Sequence, residues 1–277
     1  MTAPALIDTA VNLTDKRFND DREQVIERAR RGGIRAQIVT GTSLEASMKA
    51  RELAAQYPDL FATAGVHPHV ARDFTSETAS QLKELLTSPE ADMRAVGETG
   101  LDFNRDFSPR GDQERAFVAQ LELAVETGMP VFLHQRDAHE RFLPILRDFR
   151  ERLSAAVVHC FTGTREELFD YLDLDCHIGI TGWLCDERRG GTLRELVPNI
   201  PRERLMIETD SPWLIPRNLA EPPPVRGRNE PALLPEVLRQ LAHCRNVPAE
   251  ELAAATFDNS CRFFSLDPAA LPGHPED

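Results

Sequence analysis

Five short segments carry residues able to bind a cation or move a proton: GVHPH at 65–69, GETGLD at 97–102, FLHQRD at 132–137, VVHCFTG at 157–163 and IETDSPWL at 207–214. Neutral imidazoles and carboxylates are the ligands that a hard or borderline divalent ion requires. A single histidine in an apolar segment is more often a packed core residue than a ligand. The recurrence of Glu98, His134, His159 and Asp210 at four separate segment ends reverses that preference and points to one shared metal site.

His67, beside the turn that Pro68 fixes, suits substrate contact better than metal ligation. His69, His139, His177, His243 and His274 are read as structural or solvated. Asp102 and Asp137 are expected to orient neighbouring ligands. Glu208 and Asp210 are two apart, so in a regular strand they point to one side. Thr164 with Glu167 forms a capping-box signature, which gives that glutamate a helix-starting role. Cys160, next to His159, is read as packing rather than as a nucleophile. Arg188 or Arg189, in WLCDERRGG, offers a phosphate contact against the plainer reading of a surface loop.

These residues need strands that end together. Short β-prone runs at 6–8, 36–40, 62–66, 95–98, 131–134, 156–159, 177–180 and 205–208 alternate with amphipathic helical segments. Phe142, Ile145, Leu146 and Phe149, for example, fall on one helical face. Eight such units predict an α/β fold of the TIM (β/α)₈ barrel type, whose chemistry sits at the C-terminal strand ends. A doubly wound sheet is the alternative, but no glycine-rich phosphate fingerprint follows the first strand. No linker divides the chain, so residues 1–266 are expected as one barrel domain and 267–277 as a disordered tail. The proline-rich stretch 215–231 carries three arginines just after the last strand.

The net charge of −13 disfavours an extended nucleic-acid clamp, but permits a grip on one strand end through a metal and a few local arginines. No apolar run approaches the roughly 18 residues that span a bilayer, and no secretory signal is visible. Five cysteines without a C-x-x-C pair fit a reducing compartment, so the cytoplasm is expected, with no membrane partner. A monomer is expected.

Taken together and in order, VNLTD (11–15), GVHPH, GETGLDFNR, FLHQRDAHERF, VVHCFTGTREEL, IGITGW, IETDSPWL and RNEP (228–231) resemble the TatD family of metal-dependent deoxyribonucleases. VNLTD and TGWLCDERRG resemble the bacterial branch that acts as 3′–5′ exonucleases on single-stranded DNA or RNA. The resemblance implies an amidohydrolase-like barrel in which Glu98, His134 and His159 hold a divalent cation. Asp210 would approach the attacking water and a second metal position. It also favours Mg²⁺, with Mn²⁺ or Zn²⁺ as alternatives. One departure stands out. Most relatives begin with Asp-x-His-x-His, where this chain has Asp8-Thr9-Ala10-Val11-Asn12, so a second metal would bind weakly at best.

The expected function is therefore a metal-dependent phosphodiesterase that shortens single-stranded DNA or RNA from the 3′ end. Asp210 serves as general base and His67, Arg226 and Arg228 as substrate contacts. A hydrolase of small amides, lactones or aminoacyl esters on the same barrel is the main alternative, and a non-catalytic binding barrel the second.

Overall fold

The computed structural model describes residues 4–88 and 92–273. Its strands are β1 (Leu6–Val11), β2 (Ile34–Val39), β3 (Leu60–Ala64), β4 (Met93–Asp102), β5 (Val131–Arg136), β6 (Ala156–Val158), β7 (His177–Ile180) and β8 (Leu205–Ile207). They follow one another in a single eight-stranded sheet, in the order β1 to β8, and a helix follows each strand. This is the (β/α)₈ barrel class expected from the alternation of patterns. No helix among the described residues is long and apolar enough to cross a membrane.

Contacts gather the chain into two units. The first comprises Met1–Val39, Cys160–Arg165 and Ile178–Asp277. Here β1 pairs in parallel with β2, and β7 with β8. Every residue of β1 is buried, which suits its unbroken LIDTAV run. The end of β1 is tied to the segment beyond β8 by a bridge from Val11 to Ser211, and Asn12 N donates to Ser211 O at 2.8 Å. The helices of this unit are α1 (Arg22–Arg31), α7 (Gly191–Leu196), α8 (Leu234–Arg245) and α9 (Ala249–Phe264). The last packs on β1 and β8. Beyond it Leu271 is buried and Arg35 Nε donates to Pro272 O. The expected tail thus makes contacts as far as Pro272, while residues 274–277, with His274, lie outside the described residues.

The second unit, Thr40–His159 and Glu166–His177, carries the candidate ligands Glu98, His134 and His159. Strands β3, β4, β5 and β6 pair in parallel within it. Its helices are α2 (Leu44–Ala54), α3 (Ser76–Thr87), α4 (Arg110–Thr127), α5 (His139–Arg150) and α6 (Arg165–Asp173). α6 begins directly after Thr164, where the capping signature places it.

Two buried glutamines on α4 anchor the polar segments of this unit. Gln120 accepts from Val66 N at 2.7 Å and donates to Val66 O at 3.1 Å. Gln113 accepts from Asp102 N at 2.8 Å and donates to Ser108 O at 2.8 Å. Buried amides that satisfy backbone groups on both sides fix loops that apolar packing alone leaves free to slide.

The strand ends differ from expectation in two instructive places. β4 runs four residues beyond Glu98, to Asp102, so Glu98 lies inside a strand. Its pairing with β5 shifts register between Val96 and Thr99, and Gly97 in that gap has φ +136°. A side chain there would put Cβ 2.2 Å from Phe132 O. Only glycine tolerates both constraints. Gly97→Ala should therefore cost about 3 kcal/mol of stability and dislocate Glu98. Urea unfolding of the variant checks this, and a loss well under about 1 kcal/mol contradicts it.

β8 stops at Ile207, and Asp210 beyond it takes φ +50°. The regular alternation that would have placed Glu208 and Asp210 on one side is therefore broken, and the two carboxylates have different partners. Glu208 is fully buried and accepts from Cys160 N and, at 3.2 Å, from Thr9 Oγ1. Asp210 turns to Asn12 instead.

Candidate metal centre

Glu98 is the hub of an imidazole cluster. Its Oε1 lies 2.8 Å from His159 Nε2, 2.9 Å from His134 Nδ1 and 3.4 Å from His67 Nε2. The ligand atoms of His67, Glu98 and His134 all lie within 4.8 Å of one another, close enough to share one ion. β4, β5 and the segment beyond β6 supply Glu98, His134 and His159, and the turn beyond β3 supplies His67. Phe132 packs its ring 4.8 Å from that of His159 and walls the cluster on that side.

Electrostatics keep the carboxylate charged. Burial opposes ionisation of Glu98, but the His159, His67 and His134 rings outweigh it and hold the carboxyl well below its usual range. Burial drives His67 down to about 4, against the pull of Glu98, so this ring is neutral at physiological pH. For His134 burial works in the same direction, yet the carboxylates of Asp102 and Glu98 prevail and raise it above its ordinary value.

The donor set fits a divalent metal. A buried, ionised carboxylate surrounded by imidazoles is what such an ion requires, and no cysteine belongs to the group found among the described residues. One buried ring atom, His134 Nε2, makes no hydrogen bond and stands 3.4 Å from Asp102 Oδ2. The His67 ring has a further constraint. Its Nδ1 accepts from His69 N at 3.1 Å, so the neutral ring carries its proton on Nε2, facing Glu98.

Around the cluster stands a layer of orienting groups. Asp102 takes a hydrogen bond from His69 Nε2 at 2.6 Å and is fixed by Asn104 N and Arg105 N at 3.0 and 2.8 Å. Burial opposes its charge, but His134, His69 and Arg105 hold it well below the usual carboxylate range. Asp137 accepts from Asn104 at 2.6 Å. His139 binds Asp170 and the Tyr171 hydroxyl, each at 2.9 Å. The His69–Asp102 pair was not apparent from sequence, where His69 is only the second histidine of a turn.

In the other unit, Asp210 Oδ1 accepts from Asn12 Nδ2 at 3.1 Å, and Asp210 N donates to Ala10 O at 2.9 Å. Positions 10 and 12, where the resemblance led histidines to be expected, thus hold Asp210 in place. Only the missing ligands could be read from the sequence; the orienting role has no sequence signal.

The arginines separate. Arg226 is exposed on a turn. Arg228 is 7% exposed and donates to Arg17 O and Asp21 at 2.6–2.7 Å and to Glu230 at 2.8 Å. Glu230 is itself held by Arg28 at 2.8 Å. Both terminal nitrogens of Arg228 are engaged by the fold, while its Nε is buried without a hydrogen bond.

Deeper in the same unit, Asp8 is fully buried and accepts from Thr209 N at 2.9 Å and Thr209 Oγ1 at 2.6 Å. Burial, helped by the Glu208 carboxylate, pushes it up to about 8 despite these bonds. Its ordinary value is 3.8, so folding takes up a proton between the two and this group's contribution declines as pH rises through that window. Asparagine keeps the shape without titrating. The melting temperature of Asp8→Asn relative to the parent should therefore rise between about pH 5 and about pH 9. A difference that stays flat over that range contradicts the assignment.

An ionised carboxylate among imidazoles, carried by strand-borne segments of a (β/α)₈ chain, defines a metal-dependent hydrolase of the barrel type. The chain belongs to the TatD related DNase family, whose model matches residues 7–265. It is 53% identical over 262 residues to a 3′-5′ ssDNA/RNA exonuclease TatD of Erwinia tasmaniensis, covering 94% of this chain and 100% of that protein. With the Escherichia coli protein of the same name it shares 49% over 261 residues, 94% of this chain and 99% of the other. Among solved structures, the TatD homolog YjjV of Escherichia coli superposes with a TM-score of 0.86 at 28% identity, covering 95% of this chain and 98% of that one.

Proposed function

We propose that this protein is a metal-dependent 3′–5′ exonuclease that removes nucleotides from single-stranded DNA and RNA. The carrying observation is the Glu98 carboxylate held ionised among His67, His134 and His159. The relatives named as exonucleases match along nearly their whole length, which extends the reading from hydrolase class to substrate class.

In this reading Glu98, His134 and His159 hold the cation. When bound, a divalent ion neutralises charge on the phosphoryl oxygens and makes water more acidic. Asp210, kept in position by Asn12, takes the proton of the attacking water as general base. His67 is taken as a substrate contact, a role that its Nδ1 bond to the chain favours over ligation. Arg226, exposed on the 215–231 stretch, is proposed to contact the strand itself. Arg228 secures that stretch from beneath. The absence of histidine at positions 10 and 12 supports a single resident ion, for which Mg²⁺ is proposed ahead of Mn²⁺ and Zn²⁺. The cysteine usage supports a cytoplasmic location, and the protein is proposed to act as a monomer.

The test strips the purified protein with EDTA and restores Mg²⁺, Mn²⁺ or Zn²⁺ separately, with a single-stranded oligonucleotide and a panel of esters and amides as substrates. Metal-restored cleavage of the oligonucleotide supports the proposal. Turnover confined to the ester and amide panel would replace it with the small-molecule hydrolase.

A further inference from the structure

A cavity of the unit that holds Asp210 is lined in part by Pro212, two residues beyond that aspartate. It is an open pocket of about 870 Å³, within the ~300–1,000 Å³ of ordinary ligand sites. Proline-rich chain forms one wall, from Ile215 to Pro223, and the loop Asp186–Arg189 forms another. The role assigned to Asp210 leaves this pocket unused.

Its central feature is Trp213, 44% exposed on a protein whose other tryptophan, Trp183, lies under Arg189. The Arg17 guanidinium sits 4.7 Å from the centre of the Trp213 ring and covers one side of the indole. An exposed indole backed by a cation is costly to leave in water, and suits a flat aromatic partner next to a negative charge.

The charges around it divide into structural and available. Asp186 binds Arg189 at 2.8 Å and Arg217 at 3.0 Å, which ties the two walls together. It also accepts from Arg188 N and Arg189 N at 3.0 and 3.1 Å, so the loop is set before any ligand arrives. Arg188 itself is exposed and its side chain has no ion pair among the described residues. On a chain of net charge −13, a tethered loop that presents an unpaired guanidinium beside an exposed indole is a local exception.

We propose that this pocket is a binding subsite for an unpaired nucleotide of the substrate strand, in which the base stacks on Trp213 and its phosphate meets Arg188. The inference rests on the exonuclease reading and adds to it where the strand is gripped. Stacking on an aromatic platform tolerates any base, as an enzyme that trims ends of any sequence needs. The guanidinium contributes the salt-sensitive part of binding.

Trp183→Phe leaves Trp213 as the one reporter indole, since the chain has two tryptophans. Titration of this variant in EDTA with a single-stranded oligo-dT should quench its fluorescence saturably. Trp213→Ala should weaken oligonucleotide binding about tenfold or more, while Trp213→Phe retains most of it. The same loss should fall on KM for a long strand far more than on KM for a dinucleotide. Arg188→Ala should flatten the dependence of binding on salt. An unquenched reporter, or Trp213→Ala with the parent's affinity and KM in a parent that cleaves DNA, overturns the subsite and leaves the nuclease reading standing. A parent that cleaves no strand with metal overturns both.

Discussion

Glu98→Ala should abolish metal binding and lower kcat/KM on single-stranded DNA by about 10³-fold or more, equivalent to about 4 kcal/mol of transition-state stabilisation. The reason lies in the convergence on one atom. Three imidazoles meet the Oε1 of Glu98 at 2.8–3.4 Å, and the carboxylate is 5% exposed. Removal leaves His134 and His159 without their shared partner and without the charge that offsets a cation. Glu98→Gln keeps the volume and one oxygen but not the charge. Metal titration by calorimetry should therefore show weak or no binding for both variants. A Glu98→Gln protein that binds metal and cleaves DNA at near the parental rate would contradict the central place given to this carboxylate.

The second large effect belongs to Asp210. Asp210→Asn retains a polar side chain of the same shape but removes the base, and kcat should fall by about 10²- to 10⁴-fold. Metal content should fall less than in the Glu98 variants, because Asp210 is proposed to act on the attacking water while Glu98, His134 and His159 hold the ion. Asn12→Ala tests how the aspartate is held. Without the 3.1 Å bond from Asn12 Nδ2, kcat should drop about 10- to 100-fold, the usual cost of losing a group that orients a functional residue. Pre-steady-state turnover with metal saturating separates these losses from binding. An Asp210→Asn enzyme with parental kcat would remove it from the chemistry.

What the sequence made legible were the features that local pattern controls. Alternating apolar runs revealed all eight strands, because buried parallel strands read as short unbroken Val/Ile/Leu/Ala stretches. The histidines and Glu98 stood out because rare polar residues followed those runs. Features that depend on backbone irregularity were invisible. The shift at Gly97 that brings Glu98 inside β4, and the left-handed turn at Asp210, require coordinates. The burial of Arg228 was hidden in the same way: within a proline-rich stretch, its guanidinium is bound by Asp21 and Glu230, distant and near in sequence. Long-range polar pairs such as Asn12 with Asp210 leave no periodic trace, so the orienting layer emerges only from the fold.

The central claim, metal-dependent removal of nucleotides from a 3′ end, has one direct test. A single-stranded oligonucleotide labelled at its 5′ end is incubated with protein and Mg²⁺, and products are resolved over time. The expected result is a ladder of labelled strands shortening one nucleotide at a time, absent in EDTA and absent with Glu98→Ala. Immediate release of a labelled mononucleotide, or cleavage that persists in EDTA, would contradict it.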